Sequence, residues 1–147
     1  MSDYAELAVT SNFTFLTGAS HPEEWAVAVA HLGLAGFALT DRNTLAGVVR
    51  AHVAAEEAKL RFAPGCRLAF SDATPDVLAW PTDRAAWGRL CRLLTLGNRR
   101  AEKGACRLGL DDLLSHGEGL MLAPLLGAAP SLAPRDPRSG EPRPPDP

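Results

Sequence analysis

Residues 35–47, Ala-Gly-Phe-Ala-Leu-Thr-Asp-Arg-Asn-Thr-Leu-Ala-Gly, constrain this chain more than any other stretch. The apolar run at 35–39 is too short for a helix and, uninterrupted by polar residues, suits a strand covered on both faces. Thr40, Asp41, Arg42 and Asn43 stand at its carboxyl end, and a helical pattern opens at Thr44. A doubly covered strand that runs through a polar turn into a helix is the repeating unit of parallel α/β sheets and barrels. Active sites in those folds are built at the carboxyl ends of the strands. The turn at 40–43 is therefore where chemistry is to be sought.

The rest of the chain supports the same unit on either side. Residues 4–10 read as a first strand and 11–18 as a loop carrying Phe13 and Phe15. Ser20, Pro22 and Glu23 form a helix start with a capping box, and Gly33 is the expected stop. A helix over 44–60 has an apolar stripe at Leu45, Val48, Val49, His52, Val53 and Ala55. Residues 61–70 predict a third strand interrupted at Pro64-Gly65, 77–80 a fourth, and 119–125 a fifth, with helices at 83–96 and 110–115. This alternation predicts a parallel α/β layout, barrel-like or doubly wound. Residues 1–126 form the predicted domain. Residues 127–147 are rich in proline and arginine and poor in large apolar side chains, which predicts a disordered tail. The domain thus ends on a strand with no helix after it. An open sheet edge, an uncovered apolar face and self-association are the expected results. The abrupt change in composition is also what a frameshift would leave, so a truncated gene product is one expectation.

Composition removes several function classes. The formal charge of −2 excludes a strongly basic polyanion-binding protein, but it conceals a segregation. Residues 80–107 hold seven basic and two acidic groups, net +5, whereas 1–79 hold five and nine, net −4. Arg84, Arg89, Arg92, Arg99, Arg100, Lys103 and Arg107 make this segment a candidate contact for DNA or a partner, against the plainer reading of a solvated helix face. Arg89 and Arg92, one turn apart, are expected to share a face. The amino terminus lacks the basic and apolar regions of a secretory leader, and no apolar run has the ~18 residues of a membrane span. Cys66, Cys91 and Cys106 are odd in number and match no zinc spacing, which predicts reduced, buried thiols in a cytoplasmic protein. His21, His31, His52 and His116 show no paired metal-ligand spacing, and neither a nucleophile elbow nor a phosphate-binding glycine loop is present.

Residues 4–24, Tyr-Ala-Glu-Leu-Ala-Val-Thr-Ser-Asn-Phe-Thr-Phe-Leu-Thr-Gly-Ala-Ser-His-Pro-Glu-Glu, resemble the opening of a PHP (polymerase and histidinol phosphatase) domain. They resemble most closely the amino-terminal part of the error-prone class of bacterial DNA polymerase III alpha subunits. Further blocks at 39–52, 65–68 and 81–97 extend the likeness over about residues 4–125. The resemblance implies roughly the first half of a distorted (β/α) barrel, which in active members holds two or three metal ions on His, Asp and Glu. Several imidazoles and carboxylates are needed there to balance the charge and activate a bridging water. The positions matching those ligands are here Ala8, Thr10, Thr17, Arg42, Arg67 and Asp76, of which Asp76 alone could bind a metal. The resemblance therefore implies no cofactor and no catalytic residue. It implies instead a structural module at the head of a translesion polymerase, with DNA or other translesion-synthesis proteins as partners. A degenerate metal-dependent phosphoesterase and a docking module acting through residues 84–107 are the alternatives. In place of metals, Arg42 and Arg67 are expected to pair in the former pocket with Asp41 and Asp76.

Overall fold

A computed structural model describes residues 3–126 of the chain; the predicted tail at 127–147 lies outside the described residues. In chain order the elements are β1 (Ala5–Val9), α1 (Pro22–His31), β2 (Gly36–Leu39), α2 (Val48–Glu57), β3 (Arg61–Pro64), β4 (Cys66–Leu68), β5 (Val77–Pro81), α3 (Arg84–Arg99), α4 (Leu110–His116) and β6 (Leu120–Pro124). The architecture is mixed α/β.

Half of the strand pairing follows the predicted parallel layout. β1, β2 and β3 form a parallel sheet in that order, and the four residues of β2 are all buried. β4, β5 and β6 instead form an antiparallel sheet, which corrects the all-parallel expectation. The physical reason lies at Gly65. The predicted third strand breaks there into β3 and β4, which join different sheets. A Cβ at Gly65 would lie 2.6 Å from the Trp80 ring and 3.0 Å from Thr40, so the close approach admits only glycine. Connection between the sheets is kept by a parallel bridge between Arg42 and Arg67 just beyond β2.

Each sheet has its own core. Phe37 and Leu39 of β2 and Val9 of β1 pack with Ala26 and Val29 of α1 and with Val48, Ala51 and Ala55 of α2. The Phe37 and Phe62 rings meet at 5.1 Å between centroids. On the second sheet Leu68, Val77 and Ala79 pack under Leu90, Leu93 and Leu94 of α3 and Leu113 of α4. α3 is capped by Asp83, whose carboxylate accepts from the Ala86 amide at 2.7 Å.

Three local expectations are corrected. The α1 cap lies one residue later than predicted: the His21 amide donates to Glu24 at 2.7 Å, while the Ser20 carbonyl accepts from Asn12. α2 begins at Val48 after a turn and presents Ala51 and Ala55 to the sheet, leaving Val49 70% and Val53 47% exposed. Small side chains let the helix approach closely, so of the branched residues predicted to face inward Val48 does, while Val49 and Val53 face out. Only Cys66 of the three free thiols is buried; Cys91 and Cys106 are half-buried.

Candidate functional site

The polar turn after β2 is built around Asp41, whose side chain is 1% exposed. A carboxylate so placed needs donors, because an unpaired buried charge costs several kcal/mol, on the order of 3–5 when a partner is removed. Three donors come from the loop after β1. The Ser11 amide donates to Oδ1 at 2.8 Å, the Ser11 hydroxyl to Oδ2 at 2.7 Å and the Thr14 hydroxyl to Oδ1 at 2.7 Å. Thr14 Oγ1 accepts in turn from the Arg42 amide at 3.0 Å, and Ser11 Oγ from the Phe13 amide at 3.2 Å. Ser11 and Thr14 are themselves buried. Asp41 is thus the hub of a closed network that clasps residues 11–18 to the end of β2.

A second set of contacts ties the turn to the antiparallel sheet. The Arg67 amide donates to the Asp41 carbonyl at 3.0 Å and the Asn43 amide to the Arg67 carbonyl at 2.9 Å. Asn43 extends this ladder with its side chain, donating to the Ala69 carbonyl at 3.1 Å and accepting from the Ala69 amide at 2.9 Å. Its φ of 51° lies in the left-handed region, which Asn tolerates better than most residues. Cys66 Sγ donates to the Asp41 carbonyl at 3.3 Å, and burial pushes its thiol pKa up to about 12.

The ion pairs expected here are formed in one case only. Arg67 Nε lies 2.7 Å from Asp76 Oδ2, with both side chains partly exposed. The pairing of Arg42 with Asp41 is corrected: Asp41 is taken by hydroxyl and amide donors, and the Arg42 side chain is exposed. The geometric reason is the alternation along the extended segment, which sends neighbouring side chains to opposite faces. The same alternation places Val9 under the helices and turns Ala8 and Thr10 to the other face of the sheet.

This donor set does not fit a cluster of divalent ions. Ala8 offers a methyl group, Thr10 and Thr17 offer hydroxyls, and Arg42 and Arg67 bring fixed positive charge. Asp76 is held by Arg67, and Asp41 is held by Ser11 and Thr14. Among the described residues no three His, Cys, Asp or Glu side chains converge. His21 Nδ1 accepts from the Asn12 side-chain amide at 2.9 Å, His52 faces Glu56 at 3.6 Å, and both are exposed. Ser11, Thr14 and Asn43 are the site residues that sequence reasoning missed. Their partners lie 26 to 30 residues away in sequence, beyond the reach of any local pattern.

Comparison with known proteins decides the family. The sequence pattern of the PHP domain matches residues 6–131. The chain belongs to the PHP domain family. Among its relatives, an error-prone DNA polymerase of Mesorhizobium japonicum is 54% identical over 136 residues, and one of Caulobacter vibrioides is 56% identical over 116. These alignments cover 88% and 79% of the chain, but the chain spans only 12% and 11% of those polymerases' lengths. In the solved structures, an amidohydrolase from Chromobacterium violaceum, with bound sulfate and no metal, superposes with a TM-score of 0.55 at 25% identity. It covers 65% of this chain and 33% of the amidohydrolase. A candidate metal-dependent phosphoesterase from Bifidobacterium adolescentis gives 0.54 at 19% identity, over 80% of this chain and 44% of its own, and shares the fold.

The basic segment of this PHP domain is divided by its contacts. Arg89 Nε donates to the Glu118 carbonyl at 2.7 Å, and Arg100 Nη1 reaches both Asp112 oxygens at 2.8 Å. Arg84, Arg92, Arg99, Lys103 and Arg107 are exposed. Arg89 and Arg92 are one turn apart on α3, but Arg89 is bonded toward the α4–β6 connection. Arg92 instead lines an open groove of about 410 Å³ with Thr95, Leu96, Arg99, Arg100 and His116. A wider hollow of about 670 Å³ includes Arg42, Asn43, Asn98, Glu102 and Lys103. Among the described residues no helix is long and apolar enough to cross a membrane.

Proposed function

We propose that this PHP domain is a non-catalytic structural module of the error-prone DNA polymerase type, serving DNA replication and translesion repair through the protein it heads. The single observation that carries this reading is the engagement of Asp41. Its carboxylate oxygens accept three short hydrogen bonds from Ser11 and Thr14, so the one buried acid at the strand ends works as a clasp. The guanidinium of Arg67 draws Asp76 into a second clasp a few residues away. Both carboxylates are engaged in positioning loops and strands, which supports a structural role. The identities of 54% and 56% to error-prone polymerases support the parent class. Nucleotidyl transfer would require chain well beyond the 11–12% of those proteins that is spanned here. Three unpaired thiols are in keeping with a cytoplasmic setting.

The test is metal analysis with turnover. The chain, purified after growth with added zinc and manganese, is expected to carry no stoichiometric metal and to hydrolyse no aryl phosphate or phosphodiester above the Asp41→Asn, Asp76→Asn control. Metal-dependent turnover that disappears in that control would establish the degenerate phosphoesterase instead.

A further inference from the structure

We propose that the α3 stripe Arg92–Thr95–Leu96–Arg99, bordered by Arg100 and His116, binds the phosphodiester backbone of a nucleic-acid strand without reading its bases. This goes beyond the structural reading above and holds whether or not the Asp41 site is catalytic. The four α3 residues recur at i, i+3, i+4 and i+7, so one helix face carries them all into the groove. That groove has three arginines and a histidine in its wall and no carboxylate.

Its charges are not equally available. Arg100 is held by Asp112, whose carboxylate also accepts from the Gly109 amide at 2.9 Å. Asp112 therefore fixes the border of the groove and is neutralised there. His116 Nδ1 is bonded to the Asp112 carbonyl at 2.9 Å, which holds the ring at the same border. Among the described residues the Arg92 and Arg99 side chains form no ion pair and no hydrogen bond. Two uncommitted guanidiniums, held by a rigid helix, are what remains for an external anion. Seven residues of helix separate them by about 10 Å along the axis, a span of more than one phosphate where charges recur every ~3.4 Å per strand.

The lining also says what is not recognised. Thr95 donates its hydroxyl to the Cys91 carbonyl at 2.8 Å, so it has no proton left for a base edge. No Phe, Tyr or Trp lines the groove, and its one ring, His116, is tied to the border by its bond to the Asp112 carbonyl, so the row of stacking rings that single-strand binders use is missing from it. Attraction then comes from charge, and the binding is sequence-independent and strongly dependent on salt.

Fluorescence anisotropy of the full chain with a labelled oligodeoxythymidylate of about 16 nucleotides tests the proposal. Binding is expected at about 50 mM salt, with a log–log salt slope near −1.4 for two contacts at ~0.7 each. Arg92→Gln/Arg99→Gln should weaken it at least tenfold and flatten the slope. Lys59→Gln/Arg61→Gln removes the same charge from the α2–β3 side and should change it less than twofold. Circular dichroism confirms that both pairs fold, as all four positions are exposed. Equal weakening by the two pairs, or no binding at low salt, overturns the proposal. So does poly-glutamate displacing the oligonucleotide at equal charge, which would assign the groove to an acidic protein segment.

Discussion

Asp41 accepts hydrogen bonds and donates none, and that asymmetry makes it testable by the smallest possible change. Asp41→Asn keeps the shape but places an NH2 group against the Ser11 or Thr14 donors. The expected loss is about 2–4 kcal/mol of unfolding free energy, read as a lower denaturant midpoint at unchanged m-value. Ser11→Ala should cost less, about 1–2 kcal/mol, because the Ser11 amide still donates. Cys66 supplies a second residue-level check. Desolvation raises its thiol to about 12 and leaves it buried, whereas Cys91 and Cys106 are raised by burial but remain partly open. Alkylation of the native protein near pH 8 is expected to modify Cys91 and Cys106 and to reach Cys66 only on unfolding. Mass-spectrometric mapping would show otherwise if the Asp41 turn opened freely.

At the level of elements, α4 is held at its start by two carboxylates. Asp112 accepts from the Gly109 amide and Asp72 from the Leu110 amide at 2.7 Å. The Asp72 carboxyl is held below its ordinary 3.8 chiefly by the Thr74 side chain and the Leu110 amide, the Asp112 carboxyl chiefly by the Gly109 amide with help from Arg100. Depressed folded-state values mean that this support is present above the unfolded value and is lost as pH falls through the folded ones. Protection of the Gly109 and Leu110 amides, corrected for the intrinsic pH dependence of exchange, should therefore fall only below pH 3.8; a loss of protection near pH 5 would refute the assignment. These elements were also where the sequence was most readable. Apolar runs and caps located β1, β2, β5, β6 and all four helices, because each follows from local pattern and composition. The split of the third strand was not legible. Pro64-Gly65 marked the break, but which sheet each half joins depends on Trp80 packing over Gly65 from a strand fifteen residues on. The α2 face was misjudged for a similar reason. Apolar periodicity names residues that can be buried, and the tight α1–α2–sheet contact took Val48, Ala51 and Ala55 and left Val49 and Val53 outside. At the site, the expectation of missing ligands came from the family resemblance, and no local pattern pointed to the hydroxyls of Ser11 and Thr14 that stand near Asp41.

At the scale of the molecule, apolar surface lies exposed among the described residues. β1 and β6 lie at the ends of their sheets, and consecutive β6 residues Met121 and Leu122 are 60% and 44% exposed although they point to opposite faces. Phe15 and Leu16 project from the loop that Asp41 clasps, at 83% and 90% exposure. Unprotected edges of this kind pair with other chains. Sedimentation velocity should show association that grows with concentration, reduced by Met121→Lys/Leu122→Lys; a monomer with a sharp cooperative melt at every concentration would contradict it. The Asp41 clasp, finally, bears on how such a domain can change over generations. An imidazole placed at Arg42 would stand on the exposed side of the turn, while the acid beside it stayed engaged by Ser11 and Thr14. Removing the Ser11 and Thr14 hydroxyls first would leave a buried charge with the Ser11 amide alone among its three donors, and that intermediate would be less stable than the chain as it stands. A single substitution at this turn therefore cannot release Asp41 for another role without passing through that valley, and the clasp works as a ratchet.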